Sequence, residues 1–254
     1  CDPVPAILDF QRQLARRGIQ LIFMPVPTRI VVHPEAVLGR AALAGLPRVP
    51  HLHSPETEFY RLLRGKGVEV VDLTPIFLQH RDDPHGPLFV PSETHWTPYG
   101  VAVGVQEVGR LVKKQPWYAG VARSRYETTW EPRAGRGHGY RDLHDKAGLP
   151  DRPPDRLWMR TVRRQTPDGP VRVQMRNPDS PVLVLGDSNS VFWFEQESSL
   201  PHQLAAELGF DVDILSTTGG GSTNTRVNLA RTAQATPGYL ESKKVVVWCL
   251  ASRT

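Results

Sequence analysis

Val182-Leu183-Val184-Leu185 is an apolar run that stops abruptly at Gly186-Asp187-Ser188. A run this short, without polar alternation, reads as a strand buried on both faces. Gly, Asp and Ser then favour a tight turn, because glycine reaches left-handed backbone and the Asp and Ser side chains bond nearby amides. Ser188 is therefore expected just past the carboxyl end of a strand, where open α/β sheets gather their chemistry. Apolar segments near residues 22, 70, 213 and 247 have similar character and are separated by stretches with helical spacing. The expected fold is α/β: a mostly parallel five-stranded sheet with helices on both faces.

Helix signals fill the intervals. Asp2 as cap and Pro3 in the first turn open a helix with Ile7, Phe10 and Leu14 inward, closed by Gly18. Ser54-Pro55 opens another with Phe59, Leu62 and Leu63 inward. Thr97-Pro98 opens a third, with Val101, Val105, Val108 and Leu111 as its inward stripe. Pro201–Leu208 is a helix ended by Gly209, and the last helix begins near Ser222 or Thr223. Thr74 to Ser92 reads as a long loop. Residues 115–180, rich in Arg, Pro, Gly and Asp, read as an irregular insertion across the sheet with a short helix and turn over Tyr140–Pro150. That insertion is either a surface excursion or a flap over the substrate. No repeat or linker divides the chain, so residues 1–254 read as a single domain with this insertion at about 115–180.

Composition narrows the function classes. The 254 residues are 39% hydrophobic and 22% charged, ordinary values for a soluble globular chain. No apolar run approaches the ~20 residues that span a bilayer, and the first residues lack the pattern of a signal peptide. Because the chain opens directly into a helix, it reads as a fragment or processed form without its N-terminal targeting segment. The net charge of +5 favours an anionic partner or simple solubility. The basic residues are scattered and match no nucleic-acid module, so nucleic acid is not an expected partner. Cys249 lies in an apolar run and reads as a buried thiol, whereas Cys1 could be a lipidated terminus or an ordinary residue. His51 and His53 could share one face of an extended segment, but no third metal ligand accompanies them, and neither metal nor cofactor is expected.

Glu93-Thr94-His95-Trp96 precedes the third helix and supplies what a serine nucleophile needs: a base and an acid to orient it. Glu93 and His95 are two apart, so in extended chain their side chains point the same way. The positive end of the helix that follows disfavours imidazolium and helps hold His95 neutral, ready to act as base. Acyl chemistry also needs oxyanion donors. The Ser188 amide and the loop Gly219-Gly220-Gly221 are candidates, with Asn224 and Arg226 at the start of the next helix as side-chain donors. The glycine loop matches neither the P-loop nor the dinucleotide fingerprint. The candidate set is thus Ser188, His95 and Glu93 as catalytic residues, and Gly220, Gly221, Asn224 and Arg226 as oxyanion or substrate-binding residues.

Gly186-Asp187-Ser188 after a buried strand resembles the nucleophile block of the SGNH (GDSL-like) hydrolase superfamily. Glu93-Thr94-His95-Trp96-Thr97-Pro98 is similar to the Asp-Thr-His-Trp-Thr segment of the alginate O-acetyltransferase (AlgX/AlgJ-like) family. In that family the acid–histidine pair precedes the serine, a permuted order relative to ordinary SGNH hydrolases, and the order here is the same. The strand ending Pro25-Val26-Pro27-Thr28 and the glycines at 219–221 fit too. The resemblance implies His95 as base, Ser188 as nucleophile, and Glu93 where the family has aspartate. It further implies an extracytoplasmic enzyme that moves acetyl groups onto an exopolysaccharide through an acetyl-serine, beside membrane-bound partners that supply acetyl. A carbohydrate acetyl-esterase of the same fold, or a catalytically weakened polysaccharide-binding scaffold, are the alternatives.

Overall fold

A computed structural model of the chain describes residues 2–38, 55–135, 146–148 and 153–252. Helix α1 (Val4–Ala15) begins just after the expected cap: Pro3 is the cap residue, and Asp2 Oδ1 accepts the Val4 amide at 2.9 Å. Gly18, with φ of 71°, turns the chain into β1 (Gln20–Val26). Two short helices follow, α2 (Arg29–Val32) and α3 (Glu35–Leu38), while Cys1, His51 and His53 lie outside the described residues.

Helix α4 (Pro55–Gly65) buries Tyr60 and Leu63 but leaves Leu62 45% exposed. The expected inward position of Leu62 is therefore wrong. Tyr60 and Leu63, three apart, share the inward face, and their neighbour Leu62 is rotated away from it. After β2 (Glu69–Val70) comes α5 (Thr74–His80), inside the stretch that composition assigns to a loop. Its start is ordinary once seen: Asp72 Oδ1 accepts the Thr74 amide at 2.9 Å, Pro75 sits in the first turn, and Phe77 is fully buried. Helix α6 (Pro98–Lys113) starts as expected, with the Thr97 hydroxyl accepting the Gly100 amide at 3.1 Å.

Residues 115–180 are more regular than their composition suggests. Strands β3 (Tyr126–Gly135), β4 (Asp155–Thr166) and β5 (Gly169–Arg172) form a three-stranded antiparallel sheet, pairing Trp130 with Arg160 and Pro132 with Trp158. Along β4 the buried positions step from Met159 to Val162, and Arg156, Arg160, Arg163 and Arg164 fall on both sides, so no unbroken period of two runs through it. Leu157 and Met159 nonetheless join the main core, and Val162 packs with Val173 and Ala205. The expectation of an irregular segment is thus corrected to a small sheet; of the helix and turn expected over Tyr140–Pro150, residues 146–148 are described, as helix and turn, and the rest lie outside the described residues.

The chain then enters β6 (Val182–Gly186), α7 (Ser188–Val191), α8 (Leu200–Leu208), β7 (Asp213–Ser216), α9 (Gly221–Ala235) and β8 (Val245–Ala251). The main sheet runs β2-β1-β8-β6-β7, every neighbouring pair parallel. All five expected strands are present. β8 is central and buried along its whole length. Val245, Val247 and Cys249 face α6 and α8, whereas Val246, Trp248 and Leu250 face α1 and α9. Cys249 is a free buried thiol whose pKa burial pushes well above its ordinary value.

One charge is sealed into this fold. Lys243 Nζ lies 3.0 Å from Asp213 Oδ2 and donates to the carbonyls of Pro178 at 2.5 Å and Ser180 at 3.1 Å. Tyr239 donates its hydroxyl to the same Asp213 oxygen. Burial lowers the Lys243 pKa, against the opposing pull of Asp213. Replacing Lys243 by Met leaves a buried carboxylate without its cation, so Lys243→Met is expected to cost about 3–5 kcal/mol in urea unfolding.

Candidate active site

Gly186 ends β6 where no side chain fits: a Cβ there would sit 2.6 Å from the Cys249 carbonyl oxygen and 2.7 Å from Ser190 Oγ. The next residue, Asp187, is buried and uses both carboxylate oxygens. Oδ1 accepts the Asn189 amide at 2.8 Å and its side-chain nitrogen at 3.1 Å, while Oδ2 accepts the Ala251 amide at 2.9 Å. One side chain thus caps α7 and staples it to the end of the central strand. Ser190 Oγ donates to the Asp187 carbonyl at 2.6 Å and tightens the same turn. Ser188, half-buried, is presented at the carboxyl edge of the sheet.

His95 arrives on a tight turn. Phe89 bridges to Trp96, the Val90 amide donates to the His95 carbonyl, and the Glu93 amide donates to the Val90 carbonyl. Within this turn the Glu93 carboxylate folds back. Oε2 accepts the amides of Thr94 at 2.8 Å and His95 at 3.0 Å, and bonds His95 Nδ1 in a short contact. The extra methylene relative to aspartate is taken up locally, because the glutamate curls onto its own backbone. Burial acts to raise the Glu93 pKa, but the bond and charge of His95 and the two amides outweigh it and hold the carboxyl below its ordinary range.

The other imidazole nitrogen completes the arrangement: His95 Nε2 is 2.8 Å from Ser188 Oγ. Ser188, His95 and Glu93, expected together from the sequence, do meet. Two indoles hold the meeting in place. Trp96 Nε1 donates to the Asn189 carbonyl at 2.8 Å, and Trp193 Nε1 donates to the Trp96 carbonyl at 2.8 Å. Trp96, the residue after the histidine, is therefore tied both to Asn189, the residue after the serine, and to Trp193 farther along the same loop. Sequence reasoning missed this clamp and the role of Asp187. A cap signal was available for Asp187, since Asp before a helix start is a favoured N-cap; nothing local marks the partners of the indoles.

The small sheet reaches this site. Asp155, at the start of β4, accepts the Ser92 amide at 3.1 Å and the Ser92 hydroxyl, bracing the turn just before Glu93. Beside Glu93 lies a cavity of about 280 Å³ bordered by Thr28, Arg29, Thr94, Asn189 and Ser252. Arg29 donates to the Pro91 carbonyl at 2.8 Å.

The oxyanion candidates divide. Thr217, just past β7, donates its amide to the Gly186 carbonyl at 3.0 Å, so the glycine loop does start beside the turn that carries Ser188. The Gly220 amide, however, is spent on the Thr217 carbonyl within that loop, and Asn224 is exposed. Arg226 does not reach Ser188. It donates to the carbonyls of Ser222 at 3.2 Å and Ala6 at 3.4 Å and lies over Trp248, on the α1 face of the sheet. Its assignment to the oxyanion site is corrected, because one turn into α9 the side chain points toward α1. Among the described residues no cluster of three metal-ligating side chains occurs, and no helix is long and apolar enough to cross a membrane.

The parallel sheet with its serine turn at the carboxyl edge defines an SGNH-hydrolase-like α/β protein. The chain belongs to the family described as SGNH hydrolase-like domain, acetyltransferase AlgX, whose model matches residues 3–252. Among curated proteins it is similar to the probable alginate O-acetylase AlgJ of Pseudomonas aeruginosa, 31% identical over 104 residues, which is 41% of this chain but 25% of that protein. The chain thus spans about a quarter of the length of that relative. Among solved structures, the O-acetyltransferase domain of Pseudomonas putida AlgJ has a TM-score of 0.72 at 24% identity, covering 98% of this chain and 81% of that one. Pseudomonas aeruginosa AlgX has a TM-score of 0.73 at 16% identity, covering 99% and 57%. At these identities the two structures establish the fold.

Asp187→Ala leaves the amides of Asn189 and Ala251 buried without acceptors. A loss of about 1–3 kcal/mol per amide is expected in urea unfolding. Native-like stability in that variant would show that the turn holds without the carboxylate. For Glu93, the stabilising contribution is complete above its ordinary pKa of 4.5 and is lost as pH falls through the lowered folded value. Below pH ~4.5, Glu93→Gln should therefore lose stability less steeply than the parent in thermal melts.

Proposed function

We propose that the chain is a serine-dependent O-acetyltransferase domain that places acetyl groups on hydroxyls of an exopolysaccharide. The observation that carries this reading is the 2.8 Å contact of His95 Nε2 with Ser188 Oγ, with Glu93 on the opposite imidazole nitrogen. Ser188 Oγ attacks the carbonyl carbon of an acetyl donor as its proton passes to His95 Nε2. The imidazolium is held by Glu93 and returns the proton to the departing donor oxygen, leaving acetyl-Ser188. A sugar hydroxyl then gives its proton to His95 and attacks the same carbon, and Ser188 Oγ leaves and recovers that proton. The backbone amides of Ser188 and Gly221 are the donors we assign to the oxyanion, since the Gly220 amide is taken by Thr217, Asn224 is exposed and Arg226 lies over Trp248.

The acceptor is proposed to be acidic. Arg29 borders the cavity beside Glu93, and the chain carries a net charge of +5. The relatives named for alginate O-acetylation support the same class of substrate. An extracytoplasmic location and membrane-bound partners that deliver acetyl groups are part of the same proposal.

Ser188→Ala should lower kcat on a chromogenic acetyl ester by on the order of 10⁶. Retained turnover in that variant would sink the reading. Adding an acidic oligosaccharide to the native chain should yield acetylated sugar, detected by mass spectrometry. Free acetate with the sugar untouched would instead identify an acetyl-esterase. Glu93→Gln should lower kcat by about 10³–10⁴, because the amide no longer holds the imidazole in the required tautomer. Since Glu93 keeps its charge below its ordinary pKa of 4.5, its own titration should not shape the rate profile above that pH.

A further inference from the structure

The aromatic triplet Phe192-Trp193-Phe194 follows the nucleophile turn, and its first ring has a telling position. Phe192 lies face to face with the His95 imidazole, ring centroids 3.9 Å apart and planes 10° apart. Neutral aromatic pairs prefer offset or edge-on contacts at about 4.5–7 Å, because their negative faces repel. A cation over the face of a ring is instead attracted to it. The contact therefore has little electrostatic benefit while His95 is neutral and gains it when His95 carries a proton.

The backbone and its neighbours enforce this position. The Phe192 amide donates to the Ser188 carbonyl at 2.8 Å, which sets Phe192 one helical turn past the nucleophile. Trp193 packs edge-on against it at 4.9 Å and 87°, and Trp193 is itself tied to the Trp96 carbonyl. The face-to-face geometry is thus imposed by the indole clamp that also sets the His95–Ser188 contact.

We infer that Phe192 is a positioning residue that favours the protonated imidazole of His95 during proton transfer from Ser188. The inference rests on the reading of Ser188 and His95 as nucleophile and base. As the Oγ–carbon bond forms, the serine proton moves to Nε2 and the imidazole becomes cationic under the Phe192 face. An interaction that strengthens only as charge develops accelerates the step, whereas one equal in both states would not. The ring also covers one face of the imidazole and opposes its rotation away from Glu93 and Ser188.

Other groups act on the same charge. Glu93 at Nδ1 favours it from the histidine's own loop, and Asp187 favours it from beneath the serine turn, with both oxygens committed to Asn189 and Ala251. The positive end of α6 and Arg29, across the cavity beside Glu93, oppose it. Phe192 adds to the favourable side without introducing a charge that would bind the base permanently.

The test uses the native chain, Phe192→Leu, Phe192→Met and Phe192→Tyr, with 4-nitrophenyl acetate as substrate. Phe192→Leu is expected to lower kcat about tenfold with KM within about twofold. The acid limb of its kcat profile should move to lower pH by about half to one unit, because the cationic imidazole has lost a partner. Phe192→Met should behave alike and stands in if the leucine variant fails to fold by circular dichroism. Phe192→Tyr, which keeps the ring, should retain kcat within about threefold. Native rates in the leucine and methionine variants would overturn the inference. So would a lowered rate with an unmoved acid limb, which marks packing alone, or a tyrosine variant as impaired as leucine. Ser188→Ala, measured alongside, separates the two levels. Its full activity would sink the serine mechanism and this inference together, whereas loss of its activity beside an unaffected Phe192→Leu sinks the inference alone.

Discussion

The carboxylate of Asp187 is the contact on which the rest of the site depends. One oxygen holds the amide and side chain of Asn189, and the other holds the amide of Ala251 at the end of the central strand. Asn189 thereby becomes a fixed point, and its carbonyl is the acceptor for the Trp96 indole. Trp96 follows His95 directly, so the position of the imidazole is inherited from the turn that carries the serine. A buried carboxylate with three donors is costly to form and costly to disturb, which suits a part that must not drift. Proximity of this quality removes entropy before chemistry starts.

The small antiparallel sheet makes sense in the same frame. It braces both loops that border the serine. Asp155 of β4 holds Ser92 ahead of Glu93. On the other side, Glu197 takes Arg163 and Arg172 at 2.8 Å each, and its carbonyl accepts the Val162 amide at 2.9 Å. Glu197 is also a non-glycine residue with positive φ, 54°, a conformation that persists where the surroundings impose it. The loop it closes is the one that carries Phe192 and Trp193. The segment that composition marks as an irregular insertion is therefore part of the scaffold of the site.

How far the sequence reached can be judged residue by residue. Glu93 and His95 are legible because two residues in extended chain share a side, and Ser188 because an apolar run ends in turn formers. The Leu62 assignment fails because two adjacent leucines cannot both lie on one narrow helical face. The strand at 155–166 escapes notice because its buried positions step from Met159 to Val162 and so break the period of two, and the strand at 126–135 because Tyr126 and Trp130 are its only large apolar residues. Arg226 fails for another reason. It is near the glycine loop in sequence, but a helix leaving that loop carries each later turn farther along the α1 face, where Ala6 and Trp248 wait.

By itself, then, the sequence determined the elements of the main sheet, their burial on both faces, and the residue types available for acyl chemistry. These follow from short-range rules: a period of two or 3.6, a cap, a turn former. The tertiary structure alone decided that His95 and Ser188, 93 residues apart, stand 2.8 Å from each other. It also decided that two indoles lock them and that Phe192 lies flat on the imidazole. Such contacts depend on the order β2-β1-β8-β6-β7 and on how α6 and α8 pack against it. Strand order is a property of the whole chain's packing, and no local pattern encodes it.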